Sequence, residues 1–374
     1  MLNQQEQFFR QINQAKKIAI VFEKSWRGDS VASALALSQL LKKLGKEAMV
    51  LADPAEQNKI CSWLPGFAEI QTRLPGADKF IISLDLTNAR VEQLNYQTKD
   101  QRLDFIITPA AGFFTAADVT SRASGFAYDL IIALNSPDLA TLGELYQTQP
   151  DFFFQTPLIN IDRDPANENY GQINLLNLQA VAGAEIIFNL FAEQAADLMD
   201  ADSATCLLAG LIMQTNNFKT GQLTPQALQL AAELMKLGGR REDIVDRLYR
   251  NKQLTVLKLW GQGLVGLAAA SDNKIVWTTL NYQQLLGARA KRDDLIAMID
   301  ELIINLPQAE VVILFIDKNE QTTALIYALK NFDASALLKK YQGQGDKKLA
   351  QITLNRPLTE VVQELVPAVS RMLS

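Results

Sequence analysis

The densest run of side chains able to do chemistry is Asn160–Gly171, NIDRDPANENYG, set between the apolar stretches TPLI and INLL. It carries two aspartates around an arginine, Asp162-Arg163-Asp164, and then a turn containing Pro and Asn. A second polar loop, from Glu23 to Asp29, follows the apolar run KIAIVF. Carboxylates in such loops are the donors that hard divalent cations need. Arginine does the opposite. It has no lone pair to give, stays charged, and fits phosphate oxygens with its planar fork. The chain contains no histidine, which excludes every mechanism that relies on an imidazole base, ligand or nucleophile partner. Cys206 falls on an apolar helical stretch and reads as core rather than nucleophile. No GxxxxGK[ST] or GxGxxG loop follows an apolar run. Phe152-Phe153-Phe154 reads as packing ahead of a strand.

The elements that must hold these loops alternate in the first half of the chain. Lys17–Phe22 predicts a buried strand. Ser30–Leu44 predicts a helix, with apolar residues at 31, 35, 37, 40 and 41 and a stop at Lys42, Lys43 and Gly45. Ala48–Leu51 is the next strand, so the chain opens with a parallel βαβ unit. Further strands are expected at 80–84, 105–108, 130–134 and 158–161, with an irregular, hairpin-like insertion over about 86–127. From Gln179 the period becomes helical, giving helices over 184–198, 203–213, 225–237 and 242–249; Thr224-Pro225 caps the third. The first domain is placed at 1–250, a connector at 251–262, and a smaller α/β domain at 263–374. In the last of these, strands are expected near 264–269, 275–279, 311–316 and 323–329, and helices near 293–304, 334–341 and 358–372.

At 374 residues the chain has room for two cores, and 48% hydrophobic content suits a globular protein. Its apolar runs are too short to span a bilayer, and the N-terminal MLNQQEQFFRQINQAKK has no apolar signal-peptide core. Two cysteines cannot make a disulfide framework, which fits a cytoplasmic protein. A net charge of −5 argues against a surface that coats nucleic acid broadly.

In this order, over nearly the whole chain, these segments resemble the DHH family of metal-dependent phosphoesterases, closest to its oligoribonuclease and nucleotide-phosphatase branch. That resemblance implies an α/β fold with a parallel-sheet DHH-type domain and a smaller α/β DHHA1-like domain. It also implies site positions. The family's Asp-His-His reads here Asp162-Arg163-Asp164. Its first motif, a His and then a Pro-Asp-Gly-Asp-type turn, aligns Glu23 with the histidine and Arg27 with the first aspartate, and retains Asp29. The strand-end aspartate falls on Asn135, with Asp85 as a rival placement, and the later helical aspartate falls on Gln214, before Thr215 and Phe218. The DHHA1 substrate loop, Gly-Gly-Gly-His, aligns with Gly343, Gly345, Asp346 and Lys347. The arginine that the family places on a preceding strand has no counterpart between Arg292 and Arg356.

The family uses manganese or magnesium. Here no cofactor is expected; a remaining ion would sit at Asp29, Asp164 and Glu23. Arg27 and Arg163 would either replace the ions as charge partners of Asp29 and Asp162 or bind phosphate. The substrate-binding set implied is Arg27, Arg163, Gly343, Gly345, Asp346 and Lys347. The expectation is a pseudoenzyme that binds a nucleotide, short RNA or protein partner between its domains without hydrolysis, with subunits paired through the first domain. The alternative is a phosphoesterase acting on short oligonucleotides or phosphonucleotides with a rearranged metal site that also recruits Asp85. A third expectation is an assembly protein in which the site is silent.

Overall fold

Short apolar runs buried on both faces mark the central strands of a parallel sheet, and three such runs organise the first half of the molecule. The computed structural model describes every residue except 1–2, 55–58, 75–78, 125, 222, 251, 302, 304–305, 331 and 374. It divides into two units, Met1–Leu248 and Tyr249–Ser374.

The first unit opens with α1 (Gln4–Gln14), β1 (Lys17–Phe22), α2 (Gly28–Lys43) and β2 (Glu47–Leu51). It continues through β3 (Lys79–Leu84), β4 (Arg90–Lys99), β5 (Arg102–Ala111), β6 (Val119–Ser124) and β7 (Leu130–Leu134). Next come α3 (Glu144–Thr148), α4 (Pro150–Gln155), β8 (Leu158–Asp162), β9 (Ile173–Leu176) and α5 (Gly183–Ala192). The helices α6 (Ala201–Gln214), α7 (Pro225–Lys236) and α8 (Arg241–Leu248) close the unit. Five parallel strands form its main sheet in the order β2-β1-β7-β8-β9. Phe152 and Phe153 of α4 pack with Ala19, Val21, Ile131 and Ala133 in one core cluster, and Phe154 is exposed. Helix α2 lies on β1, β2 and β7 and packs against α5 and α6. After β1 the chain first adds β2 on one side and later β7 on the other. The carboxyl ends of β1 and β7 therefore flank a topological switch point, where open α/β sheets place their ligand sites.

The strands expected at 80–84 and 105–108 form, but outside the parallel sheet. β3 pairs with β6, and β4 with β5, as two separate antiparallel pairs. Their alternation of polar and apolar residues suits a sheet with one wet face and is wrong for a strand buried on both. The expected helix over 184–198 stops at Ala192, and a separate short turn covers Ala196–Leu198. Helix α1 was not anticipated. A capping box between Asn3 and Glu6 starts it, and Phe8 and Ile12, one turn apart, are buried.

The second unit begins with α9 (Leu254–Val265), which corrects the connector reading of 251–262; residue 251 lies outside the described residues. Val256, Leu259 and Trp260 have helical spacing and enter this unit's core, so the stretch is an integral helix. The strand expected from 264 starts only at β10 (Ala268–Ala270), followed by β11 (Ile275–Asn281), α10 (Tyr282–Ala288) and α11 (Arg292–Glu301). The end of the helix expected over 293–304 lies partly outside the described residues. The remainder is β12 (Val311–Asp317), β13 (Thr322–Ala328), α12 (Ser335–Tyr341), β14 (Gln344–Gly345), β15 (Leu349–Leu354) and α13 (Leu358–Leu373). Its six strands run β10-β11-β12-β13-β15-β14, and only β11 and β12 pair in parallel. Buried clusters cover both faces of the sheet.

Candidate functional site

One pocket of about 210 Å³ in the first unit is lined by Glu23, Arg27, Asp29, Asn135, Asp162, Arg163, Asp164 and Gln214. All eight first-domain positions aligned with the family motifs thus converge at the carboxyl ends of β1, β7 and β8 and the end of α6. Asp85 does not line this pocket. It is exposed beyond β3, where Thr87 donates to it from its hydroxyl and its backbone amide and holds the carboxyl below its ordinary range. Asn135, directly after β7, does line the pocket.

The carboxylates are largely committed to the fold. Asp29, in the first turn of α2, is 3% exposed. One of its oxygens accepts from Gly183 N at 2.6 Å and Asn135 Nδ2 at 3.2 Å; the other accepts from Ala184 N at 3.2 Å and Ser33 Oγ at 3.1 Å. Asp29 therefore sits on the first amides of α5, where the helix dipole favours an anion. Asp162 accepts from the amides of Arg163 at 2.7 Å and Asp164 at 3.2 Å, and from Asn167 Nδ2 at 2.8 Å. Glu23 accepts from Ser30 Oγ at 3.0 Å and pairs with Arg27 at 3.3 Å. Asp164 accepts from Ala166 N at 2.8 Å through one oxygen.

This corrects the expected charge pairing. Arg27 partners Glu23 rather than Asp29, and backbone amides with Asn167, rather than the Arg163 guanidinium, satisfy Asp162. The half-buried Arg163 makes no ion pair among the described residues. The manganese or magnesium pair of the family does not fit this donor set. A bridging carboxylate needs free lone pairs, and those of Asp29 and Asp162 already face N–H and O–H donors. Two fixed cations line the same space. Among the described residues, no group of three or more His, Cys, Asp or Glu side chains is arranged to hold a metal ion. The two thiols offer no substitute, since burial pushes both Cys61 and Cys206 up to about 12.

The loop residues of the second unit form a hairpin between α12 and β15. The Asp346 carboxylate accepts from the amides of Lys348 at 2.7 Å and Leu349 at 2.9 Å, and these bonds hold it below the usual carboxylate range. Lys347 opens onto a shallow concavity beside Lys330 and Lys348. Gly345 has φ +137°, and a Cβ there would lie 2.1 Å from the Leu349 carbonyl oxygen. A Cβ on Gly343 would lie 2.5 Å from the Gln351 carbonyl oxygen. Tight strand pairing alone accounts for both glycines. Gly345→Ala is expected to destabilise the second unit by about 1–3 kcal/mol. Urea unfolding followed in this unit checks it, and an unchanged midpoint would mean the hairpin is not held as described.

Sequence reasoning missed the residues that hold the first loop. Trp26 is fully buried with φ +48°, and its indole N–H donates to the Asp53 carbonyl at 2.7 Å. Asn167 links Asp162, Asn160 and the Ser136 carbonyl. An isolated Trp beside the Arg-Gly-Asp turn was the one available signal.

A doubly wound α/β unit with a pocket at its switch point, followed by a mixed-sheet unit, is the two-domain architecture of the DHH/DHHA1 proteins. The chain is a homologue of the DHH-family phosphoesterases. It is 25% identical over 357 residues to the bifunctional oligoribonuclease and PAP phosphatase NrnA of Thermus thermophilus, covering 93% of this chain and 87% of the relative. An uncharacterized protein of Mycoplasma pneumoniae is 29% identical over 91 residues, covering 24% of this chain and 28% of its own. In fold, the chain is similar to an exopolyphosphatase-related protein of Bacteroides fragilis, with a TM-score of 0.67 and 15% identity over 98% of this chain and 96% of that one. No protein-family model matches the chain.

Proposed function

We propose that this protein is a DHH-type scaffold that has given up metal-dependent hydrolysis and binds a phosphate-bearing ligand, a nucleotide or a short RNA end, in the first unit's pocket. The observation that carries the reading is Arg163, a half-buried guanidinium lining the pocket without an ion partner among the described residues. A guanidinium held at the pocket wall without an ion partner is available to an anion, and its fork suits phosphate oxygens. At about 210 Å³ the pocket is below the ~300–1,000 Å³ of ordinary small-molecule sites. That size suits one phosphoryl group with the rest of the ligand outside. Among the described residues, no helix is long and apolar enough to cross a membrane. The proposal includes a cytoplasmic location, which two buried free thiols suit.

A second reading, a phosphoesterase with a rearranged site, draws on the pocket's charge. Four carboxylates against two guanidiniums leave a formal 2 − 4 = −2, and Asp164 keeps an oxygen without a hydrogen bond among the described residues. Calorimetric titration with a 5′-phosphorylated trinucleotide separates the two. The first reading expects binding that Arg163→Gln weakens about 10–100-fold, the value of a charge-assisted pair of about 1.5–3 kcal/mol. It expects no turnover of short oligoribonucleotides or PAP with manganese or magnesium. Turnover that Asp164→Asn abolishes would establish the second reading, and absence of binding would sink the first.

A further inference from the structure

Strand β2 is an edge of the main sheet, and its residues turn their backbone groups alternately to one side and the other. Glu47 donates to the Lys16 carbonyl on the β1 side, so Ala48 and Val50 present their N–H and C=O groups outward. Gln71 covers part of that edge. Its amide donates to the Val50 carbonyl and its carbonyl accepts from Ala52, each at 2.9 Å. The amides of Ala48 and Val50 have no acceptor among the described residues, although the two residues are only 2% and 4% exposed. Both line a cavity of about 420 Å³ walled by α2, the loop from Pro65 to Glu69 and the start of α6. Gln39 lines the same cavity. Its Nε2 donates to the Pro65 carbonyl at 3.0 Å, and its buried Oε1 accepts nothing among the described residues. Buried polar groups are almost always paired, so two orphan donors and one orphan acceptor around one cavity point to a ligand.

We propose that this cavity binds a short extended peptide, which adds to the outer edge of β2. The spacing of the donors selects that ligand. The Ala48 and Val50 amides lie two residues apart along one edge, about 6.6 Å, which is the repeat of successive acceptors on another extended chain. A single carboxylate or the edge of one nucleobase is too narrow to meet both. A peptide also brings N–H donors, for Gln39 Oε1 and for the Ala48 carbonyl, which accepts only from Ser38 Oγ at 3.4 Å. The charges at the rim disfavour a phosphate. Lys42 pairs with Glu69 and Lys43 with Asp200, and with Asp202 the lining carries a formal 2 − 3 = −1. Leu35, Val50 and Pro65 suit an apolar side chain on the peptide. The cavity is separate from the phosphate pocket, since ten residues of α2, about 15 Å of helix, lie between Asp29 and Gln39.

Amide NMR of the full chain, titrated with the blocked peptide acetyl-Thr-Val-Thr-Val-Thr-amide, tests the proposal. The Ala48 and Val50 amide signals are expected to shift saturably, and their exchange with solvent to slow at least tenfold. N-methylation of the peptide separates backbone pairing from any other contact, because a strand pairs through every second residue. Methyl groups on one alternate set of amides are expected to weaken binding at least tenfold, and those on the other set less than twofold. Ala48→Pro removes one outward N–H at an edge, where proline is tolerated, and is expected to weaken the peptide at least tenfold. If that variant does not fold, the methylated peptides still decide. No saturable shift at Ala48 and Val50, equal losses from both methylated sets, or a folded Ala48→Pro protein that binds as the wild type does would each overturn it.

Discussion

Asp29→Ala is expected to lower the unfolding free energy of the first unit by about 3–5 kcal/mol, the cost of removing one partner from a buried charged network. The carboxylate accepts four hydrogen bonds, and its loss leaves the buried amides of Gly183 and Ala184 without their acceptor. It also removes the anion from the α5 N-terminus. Asp164→Ala is the matched control. Asp164 is half-buried and accepts one local amide, so its loss is expected to stay within about 1 kcal/mol. Urea unfolding of both variants decides the matter. Equal, small losses would mean that Asp29 is free for a ligand and is not a structural anion.

Trp26→Ala is expected to cost about 3–5 kcal/mol, as for other large aromatic truncations in cores. Its ring meets Phe22 edge-on at 5.3 Å, lies 6.1 Å from Phe67, and anchors to the Asp53 carbonyl. The left-handed backbone at Trp26 is tolerated because these contacts over-determine it. Without the anchor, the adjoining Arg27 loses its fixed place beside Glu23, so the phosphate affinity proposed for this pocket should fall along with stability. Trp26→Phe keeps a ring but loses the indole hydrogen bond and part of the buried ring volume, an intermediate loss of about 1–3 kcal/mol. A Trp26→Ala protein as stable as the wild type, measured by thermal and urea unfolding, would show that the loop is held by something else.

The alternating elements of the first unit were readable from local pattern. Lys17–Phe22, Leu130–Leu134 and Leu158–Asp162 are apolar runs long enough to be central strands, and each ends in the polar residues that line the pocket. The insertion hairpin was readable as irregular, but not its separation from the main sheet, because strand pairing is a long-range choice. Helix α9 was misread because a helix whose apolar face belongs to a neighbouring core looks, in isolation, like a connector.

Residue types alone established that no imidazole chemistry is open to this chain and that two permanent cations, Arg27 and Arg163, stand in the polar loops that follow apolar runs. How those charges are compensated was settled by folding. The amide that satisfies Asp29 comes from 154 residues away, and its amide side-chain partner Asn135 from 106. Arg27 meets Glu23, four residues back, because α2 turns Asp29 inward to α5 and leaves the guanidinium at the pocket rim. Local spacing can place a side chain at the end of a strand. Which donor it meets depends on the packing of helices far apart in sequence, and for a buried carboxylate that packing decides between a metal ligand and a structural anion.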